Sequence, residues 1–217
     1  MKRYDAVVFD WDGTIMDSTH SIVAAIQAAC ADLMLPVPPP EDASWVIGLS
    51  FEAALRRIAP ALTQDRMPRF LERFRAHFLL RDSEIRLFNG ILDVFSDLRT
   101  RHVLLGVATG KGRAGLDRAL IATQLLDCFE STRCADESFS KPNPAMLLEI
   151  MEELNLRPEQ VLMVGDTTHD VQMAGNAGVD SMAVSYGAHD KDLLAASHPT
   201  VLVASVGEMR AWLADRA

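Results

Sequence analysis

Four short runs of aliphatic and β-branched residues, each halting at polar residues, leave this sequence few architectures. They span Ala6 to Phe9 before Asp10, Val103 to Ala108 before Thr109, Val161 to Val164 before Gly165-Asp166, and Ser181 to Val184. Continuous apolar runs of this length read as parallel strands buried on both faces. Helical spacing separates them, at Ile91-Leu92-Phe95-Leu98, Leu116-Leu120-Ile121, Met146-Leu147-Ile150-Met151-Leu154 and Val206-Met209-Trp212-Leu213. The alternation predicts an α/β fold, a doubly wound, mostly parallel Rossmann-like sheet with right-handed crossovers. In such sheets a ligand sits beyond the carboxyl ends of the strands, where the polar residues fall.

The stretch from about Thr14 to Leu87 breaks the pattern. It shows no good strand, and has helical runs at Ile22 to Leu35, Phe51 to Ile58 and Phe70 to Leu80. Pro36, Pro38, Pro39 and Pro40 separate the first run from the second, and Pro68 suits the first turn of the third. We expect a core of residues 1–14 and 86–217 and a helical bundle over 15–85, placed over the crevice as a lid because it follows the strand ending at Asp10.

Composition removes several functions. The 217 residues carry a formal charge of −9 with pI near 5.1, so no basic field exists for a nucleic-acid backbone or an anionic membrane. No apolar run approaches the roughly 18 residues of a membrane span, and Met1-Lys2-Arg3-Tyr4-Asp5 turns acidic before any leader could form. Cys30, Cys128 and Cys134 are odd in number and unevenly spaced, which fits reduced thiols. A cytoplasmic protein, monomer or homodimer, is expected.

The sharpest chemistry lies in Asp10-Trp11-Asp12-Gly13-Thr14. Strand alternation puts both carboxylates near one crevice, and Gly13 permits a tight exit turn. One acid can attack phosphorus while the other protonates a leaving oxygen and later activates water. An ordinary Asp/Gly turn after a strand is the competing reading. Gly165-Asp166-Thr167-Thr168-His169-Asp170 brings more carboxylates to the same end of the sheet. Clustered carboxylates need a cation, and hard oxygen donors suit Mg²⁺. Asp170 could also cap a helix beginning near Val171. Thr109-Gly110 can hold phosphoryl oxygens at a helix start. Lys141, one of four lysines in the chain, can neutralise a transferred phosphoryl group. His169 reads as a surface group or a neighbour of the metal ligands.

In this order, each at a strand end or helix start, the four elements resemble the haloacid dehalogenase-like hydrolase superfamily, and within it the phosphoglycolate phosphatase-like branch. The resemblance spans essentially the whole chain, with Thr14 to Leu87 in the place of a type 1 helical cap. It implies a magnesium-dependent phosphoric monoester hydrolase working through an aspartyl-phosphate. Asp10 would be the nucleophile and Asp12 the general acid and base, with Thr109, Gly110 and Lys141 on the phosphoryl group. Mg²⁺ would be held by the Asp10 carboxylate, the Asp12 carbonyl and Asp166, and Asp170 would ligate directly or through water. Trp11 and Ile15 depart from the usual Phe or Leu and Leu without touching reacting atoms.

Asp12 argues against a dehalogenase, since halide departure needs no proton. A phosphonate hydrolase of this fold needs a lysine in the cap, and Thr14 to Leu87 contains none. A phosphomutase of the β-phosphoglucomutase type shares both aspartates and is the runner-up, and a catalytically silent interaction protein of the same fold is the alternative from another class. For the substrate, the resemblance implies a small phosphate ester such as phosphoglycolate, whose carboxylate an arginine after Gly48-Leu49-Ser50, Arg56 or Arg57, could pair.

Overall fold

The computed structural model describes residues 4–81 and 85–217. Residues 1–3, at the start of the expected core, and 82–84, within the expected helical stretch, lie outside the described residues.

Six parallel strands form the sheet: β1 (Ala6–Phe9), β4 (Leu104–Thr109), β5 (Ser131–Cys134), β6 (Val161–Gly165), β7 (Asp180–Val184) and β8 (Val201–Val203). Their spatial order is β5-β4-β1-β6-β7-β8, so β1 is central and the chain crosses from one side of it to the other between β5 and β6. Phe9 is in register with Val107 of β4 and Val164 of β6. The residues following these three strands therefore emerge side by side, at the switch point where this topology leaves a crevice.

Alternation along β1 explains why the sheet must be covered twice. Val7 and Phe9 join Leu105, Val107, Leu162 and Val164 against α5 (Ile91–Thr100), α6 (Arg113–Thr123) and α10 (Val206–Leu213). Ala6 and Val8 face the other way, onto α7 (Ala145–Leu154) and α8 (Thr168–Ala177), through Met146, Ile150 and Met173. Each such aliphatic or aromatic side chain, fully buried, contributes roughly 1.5–3 kcal/mol relative to exposure. Phe9, Phe95 and Phe129 pack edge to face, with centroids 5.3 and 5.5 Å apart along the series. A short α9 (Lys191–Ala196) closes the end of the sheet near β8.

Between β1 and α5 the chain makes the helices α1 (Thr19–Asp32), α2 (Pro40–Trp45), α3 (Phe51–Ile58) and α4 (Met67–Leu79). Pro68 sits in the first turn of α4 as expected, and the proline-rich stretch starts a helix that the sequence reading missed, with Pro40 at its first position and Glu41 and Asp42 in its first turn. Nor is the stretch without strands. β2 (Met16–Asp17) pairs antiparallel with β3 (Arg86–Leu87), bringing entry and exit of the helical unit together. The unit has its own apolar cluster around Ile26, Leu33, Leu55 and Phe70. Asp32 of α1 binds Arg73 (2.5 Å) and His77 (2.8 Å) of α4. The three cysteines are buried free thiols, and no helix among the described residues is long and apolar enough to cross a membrane.

Candidate active site

Asp10 leaves β1 with its backbone N–H donating to the Val164 carbonyl of β6 (2.8 Å), which fixes its side chain at the head of the crevice. The carboxylate is 1% exposed. Among the described residues its neighbour of opposite charge is Lys141, whose Nζ lies 2.9 Å from Oδ1. Burial pushes the Asp10 carboxyl up to about 7. Lys141 pulls against that shift, and Asp170 adds to it.

Lys141 is itself buried, which works against its charge. Asp10 and Asp170 outweigh that penalty and hold its pKa above the ordinary lysine value. Its Nζ donates to Asp170 Oδ1 at 2.6 Å. Asp170 does not cap a helix starting near Val171. α8 begins at Thr168 behind Thr167, and Asp170 is the third helical residue of a capping box, its Oδ2 accepting from Thr167 N (3.0 Å) and Oγ1 (2.7 Å). Local helix chemistry thus orients Asp170 and, through it, Lys141.

Asp166, fully buried at the end of β6, accepts from Thr14 Oγ1 (2.8 Å) and from Ala188 N (2.7 Å). Burial raises its pKa well above the usual carboxylate range, and the Asp10 and Asp170 charges raise it further. Gly13 has φ +84°, and a Cβ there would overlap the Asp166 carboxylate, so the exit turn after Asp12 needs glycine on two counts.

Ligand atoms of Asp10, Asp166 and Asp170 all lie within 4.8 Å of one another. Three buried carboxylates against one ammonium leave negative charge to be balanced. That donor set fits a hard divalent cation that keeps some of its waters. Asp170 accepts three hydrogen bonds, one from Lys141 and two from Thr167, and Asp166 accepts two, from Thr14 and Ala188, so Asp170 has the least capacity left for a cation. The Asp12 side chain stands apart from this cluster. It accepts from Ser18 Oγ (2.7 Å) and pairs with Lys111 (2.9 Å).

Thr109 is buried at the end of β4, and its Oγ1 accepts from Lys111 N (3.1 Å). Gly110 packs so closely on the carbonyls of Gly48 and Leu49 that a Cβ would overlap them. The helical unit is therefore seated on the crevice. Ser50 N donates to Ser140 Oγ (2.8 Å) and Ser44 Oγ to the Ala188 carbonyl (2.7 Å). The Trp45 carbonyl accepts from Nε2 of His169 (2.9 Å) and of His189 (3.0 Å), while His189 Nδ1 accepts from Thr168 N. Burial lowers the pKa of both imidazoles. His169 is thus no surface group: it is 3% exposed and holds the helical unit's backbone.

A cavity of about 350 Å³ runs from Asp10 and Asp12 into the space between α1, α3, α4 and the start of α6. Arg56 and Arg57, the residues expected to meet a substrate carboxylate, do not line it. Arg56 pairs with Glu52 in solvent, and the Arg57 guanidinium lies 3.6 Å above the Trp45 ring. Arg75, Arg118 and Lys111 line it instead. Lys111, Ser18 and Trp45 escaped the sequence reading, which quoted Thr14 only as the end of the Asp10 motif. Only Lys111 carried a visible signal, a scarce lysine directly after Thr109-Gly110.

Residues 7–184 match the family described as haloacid dehalogenase-like hydrolase. A protein of Dickeya dadantii named "Probable phosphatase IndB" is 33% identical over 94% of this chain and 90% of its own. The N-acetylmuramic acid 6-phosphate phosphatase of Pseudomonas putida is 32% identical over 85% and 84%. The tyrosine-protein kinase PtkA of Mycobacterium tuberculosis is 30% identical over 94% of this chain and 70% of its own. Among solved structures, a hydrolase from Pseudomonas syringae superposes with TM-score 0.87 over 98% of this chain and 99% of its own at 21% identity, a likeness of fold alone.

Proposed function

The chain belongs to the haloacid dehalogenase-like hydrolases and is a phosphoric monoester hydrolase; on that premise we propose that it is magnesium-dependent, acts on a small-molecule phosphate monoester and works through a phosphoryl group carried on Asp10. The observation behind this reading is the Asp10 carboxylate, buried at the head of β1 beside Lys141 and close to the Asp166 and Asp170 carboxylates.

Asp10 attacks phosphorus in line with the ester oxygen, forming a carboxyl–phosphate bond as the phosphorus–oxygen bond to the alcohol breaks. Lys141, with the Thr109 hydroxyl and Gly110 N–H, takes up charge on the phosphoryl oxygens. Asp12 gives its proton to the departing alkoxide. In the second half Asp12, now ionised, removes a proton from the water that attacks the phosphoaspartate, releasing inorganic phosphate and restoring Asp10.

Asp10, Asp166 and the Asp12 carbonyl would hold Mg²⁺, with Asp170 reaching it directly or through water. Bound there, the ion supplies electrostatic neutralisation of the phosphoryl oxygens and relieves repulsion among the carboxylates. Residues 15–85 serve as the lid, seated on Gly110 and on the Trp45 latch, and decide which alcohol enters. The carbon-lined cavity supports hydrolysis over a mutase, because reorienting a phosphosugar requires polar groups for its hydroxyls.

Phosphate release from a panel of monoesters, with Mg²⁺ and with chelator, tests the reading. Release that needs Mg²⁺ and vanishes in Asp10→Asn supports it; full activity in chelator contradicts it. Transfer to a hydroxyl acceptor without phosphate release would indicate a mutase or a kinase.

A further inference from the structure

The wall of the cavity carries information about the alcohol. Outward from Asp10 and Asp12, α3 contributes Phe51, Leu55 and Ile58, and α4 contributes Phe70, Phe74 and Phe78. The rings form a connected set: Phe51 lies 5.9 Å from Phe70 and 6.3 Å from Phe74, and Phe74 stacks on Phe78 at 6.0 Å. Phe51, Ile58 and Phe74 stay partly exposed although they pack against the helical unit's apolar cluster, and each also lines the cavity.

Charged groups are placed differently. Lys111 is committed to Asp12 beside the reacting centre, and Asp136 accepts from Arg113 N at 2.9 Å. Arg75 and Arg118 also line the cavity and are exposed. Of the three cations of this lining, a carboxylate one carbon away from the phosphate would find Lys111 already paired with Asp12 and the two arginines in solvent. Taking that charge out of water without a partner is costly. A cavity of about 350 Å³ also lies within the roughly 300–1,000 Å³ typical of pockets for drug-sized ligands, far larger than a two-carbon acid requires.

Resting on the phosphatase reading of the same site, the geometry points to a phosphate monoester of an apolar, ring-bearing alcohol as the substrate class, its ring held among Phe51, Phe74 and Phe78 and its phosphate at Asp10. Phosphoglycolate, the substrate implied by the sequence resemblance, is then a poor substrate. The recognition is by burial of carbon, which needs no directional partner and accounts for the scarcity of polar side chains on the wall.

The test compares 2-phenylethyl phosphate with ethyl phosphate, whose leaving alcohols are chemically alike apart from the ring, and with phosphoglycolate. We expect kcat/KM for the phenylethyl ester to exceed that for ethyl phosphate by on the order of 10- to 100-fold, the value of burying one ring. Phe74→Ala and, separately, the milder Phe51→Leu should shrink that ratio, each with folding verified by its melting curve. Equal rates for the two alkyl esters, or phosphoglycolate leading, overturn the inference while leaving the phosphatase reading intact. Binding of the nonhydrolysable 2-phenylethylphosphonate and ethylphosphonate separates the two claims. Preference for the ring without turnover of any ester keeps the pocket and refutes the phosphatase mechanism, and no preference refutes the pocket.

Discussion

Replacing Asp10 by Asn should make the metal-free protein more stable at pH 8 while destroying its proposed nucleophile. Burial moves the Asp10 carboxyl from 3.8 to about 7 even with Lys141 alongside. In the unfolded chain the same group ionises freely, so its folded form is favoured below about pH 4 and loses that advantage as pH rises through 7. About three pKa units at 1.36 kcal/mol each give roughly 4 kcal/mol of destabilisation at pH 8, falling to less than half of that at pH 5. Asn removes the charge, and its amide can donate to the neighbouring carboxylates. For a chain of this length 1 kcal/mol moves Tm by about 2–4 °C, so the variant should melt on the order of 10 °C higher in chelator at pH 8, and only a few degrees higher at pH 5. Saturating Mg²⁺ should raise the wild-type Tm and narrow the gap. Thermal melts followed by circular dichroism at the two pH values decide it. An Asp10→Asn protein that melts at or below the wild-type temperature at pH 8 in chelator refutes the argument that this carboxylate is held at a cost.

Asp12→Asn should lower kcat by about 10²- to 10⁴-fold with little change in Tm, as expected when a proton donor is removed; near-normal turnover contradicts the assignment. Gly110→Ala should push the Gly48 and Leu49 carbonyls outward and lift the helical unit, lowering kcat/KM by about 10²-fold and exposing the 48–50 loop to protease. Asp166→Asn should chiefly raise the Mg²⁺ concentration needed for half-maximal activity. His169 and His189 are held neutral by burial, their pKa values below 6.5, so the stability they contribute is present above pH 6.5 and lost as pH falls below it. A His169→Gln, His189→Gln double variant, melted with saturating Mg²⁺, should therefore lose less Tm between pH 7.5 and 5.5 than the wild type does.

The central strands and their helices were legible because burial on both faces leaves an aliphatic signature that few other structures produce. β5 and β8 were not. Ser131–Cys134 is an edge strand with Thr132 and Arg133 only half-buried, Arg133 reaching Glu149 and Glu153 (each 2.9 Å), and Val201–Val203 is three residues long. Neither offers enough alternation to register. α2 was hidden by its own prolines, which mark a helix start as readily as a break. At the site, Asp10, Asp12, Thr109, Asp166 and Asp170 fall at a strand end or in the first turn of a helix, where the sequence reading looked for polar residues, and Lys141 lies in the loop between β5 and α7. The capping box of Asp170 was misread by one turn, since Thr167 takes the cap. What no local pattern could supply was the pairing across the chain: Lys111 on Asp12, Thr14 on Asp166 and the Trp45 carbonyl on two histidines join segments that only the fold brings together. The same limit explains Arg56 and Arg57, since helical spacing gives the face of a helix and not what that face meets.

Trapping the covalent intermediate tests the central claim most directly. The protein is mixed with Mg²⁺ and an ester it turns over, quenched in acid within the first turnovers, digested and analysed by mass spectrometry. A phosphoryl increment on the peptide carrying Asp10, absent from Asp10→Asn and gone after the substrate is exhausted, is the predicted result. Phosphate released at the full rate with the increment on another residue, or with none on any peptide, would contradict it.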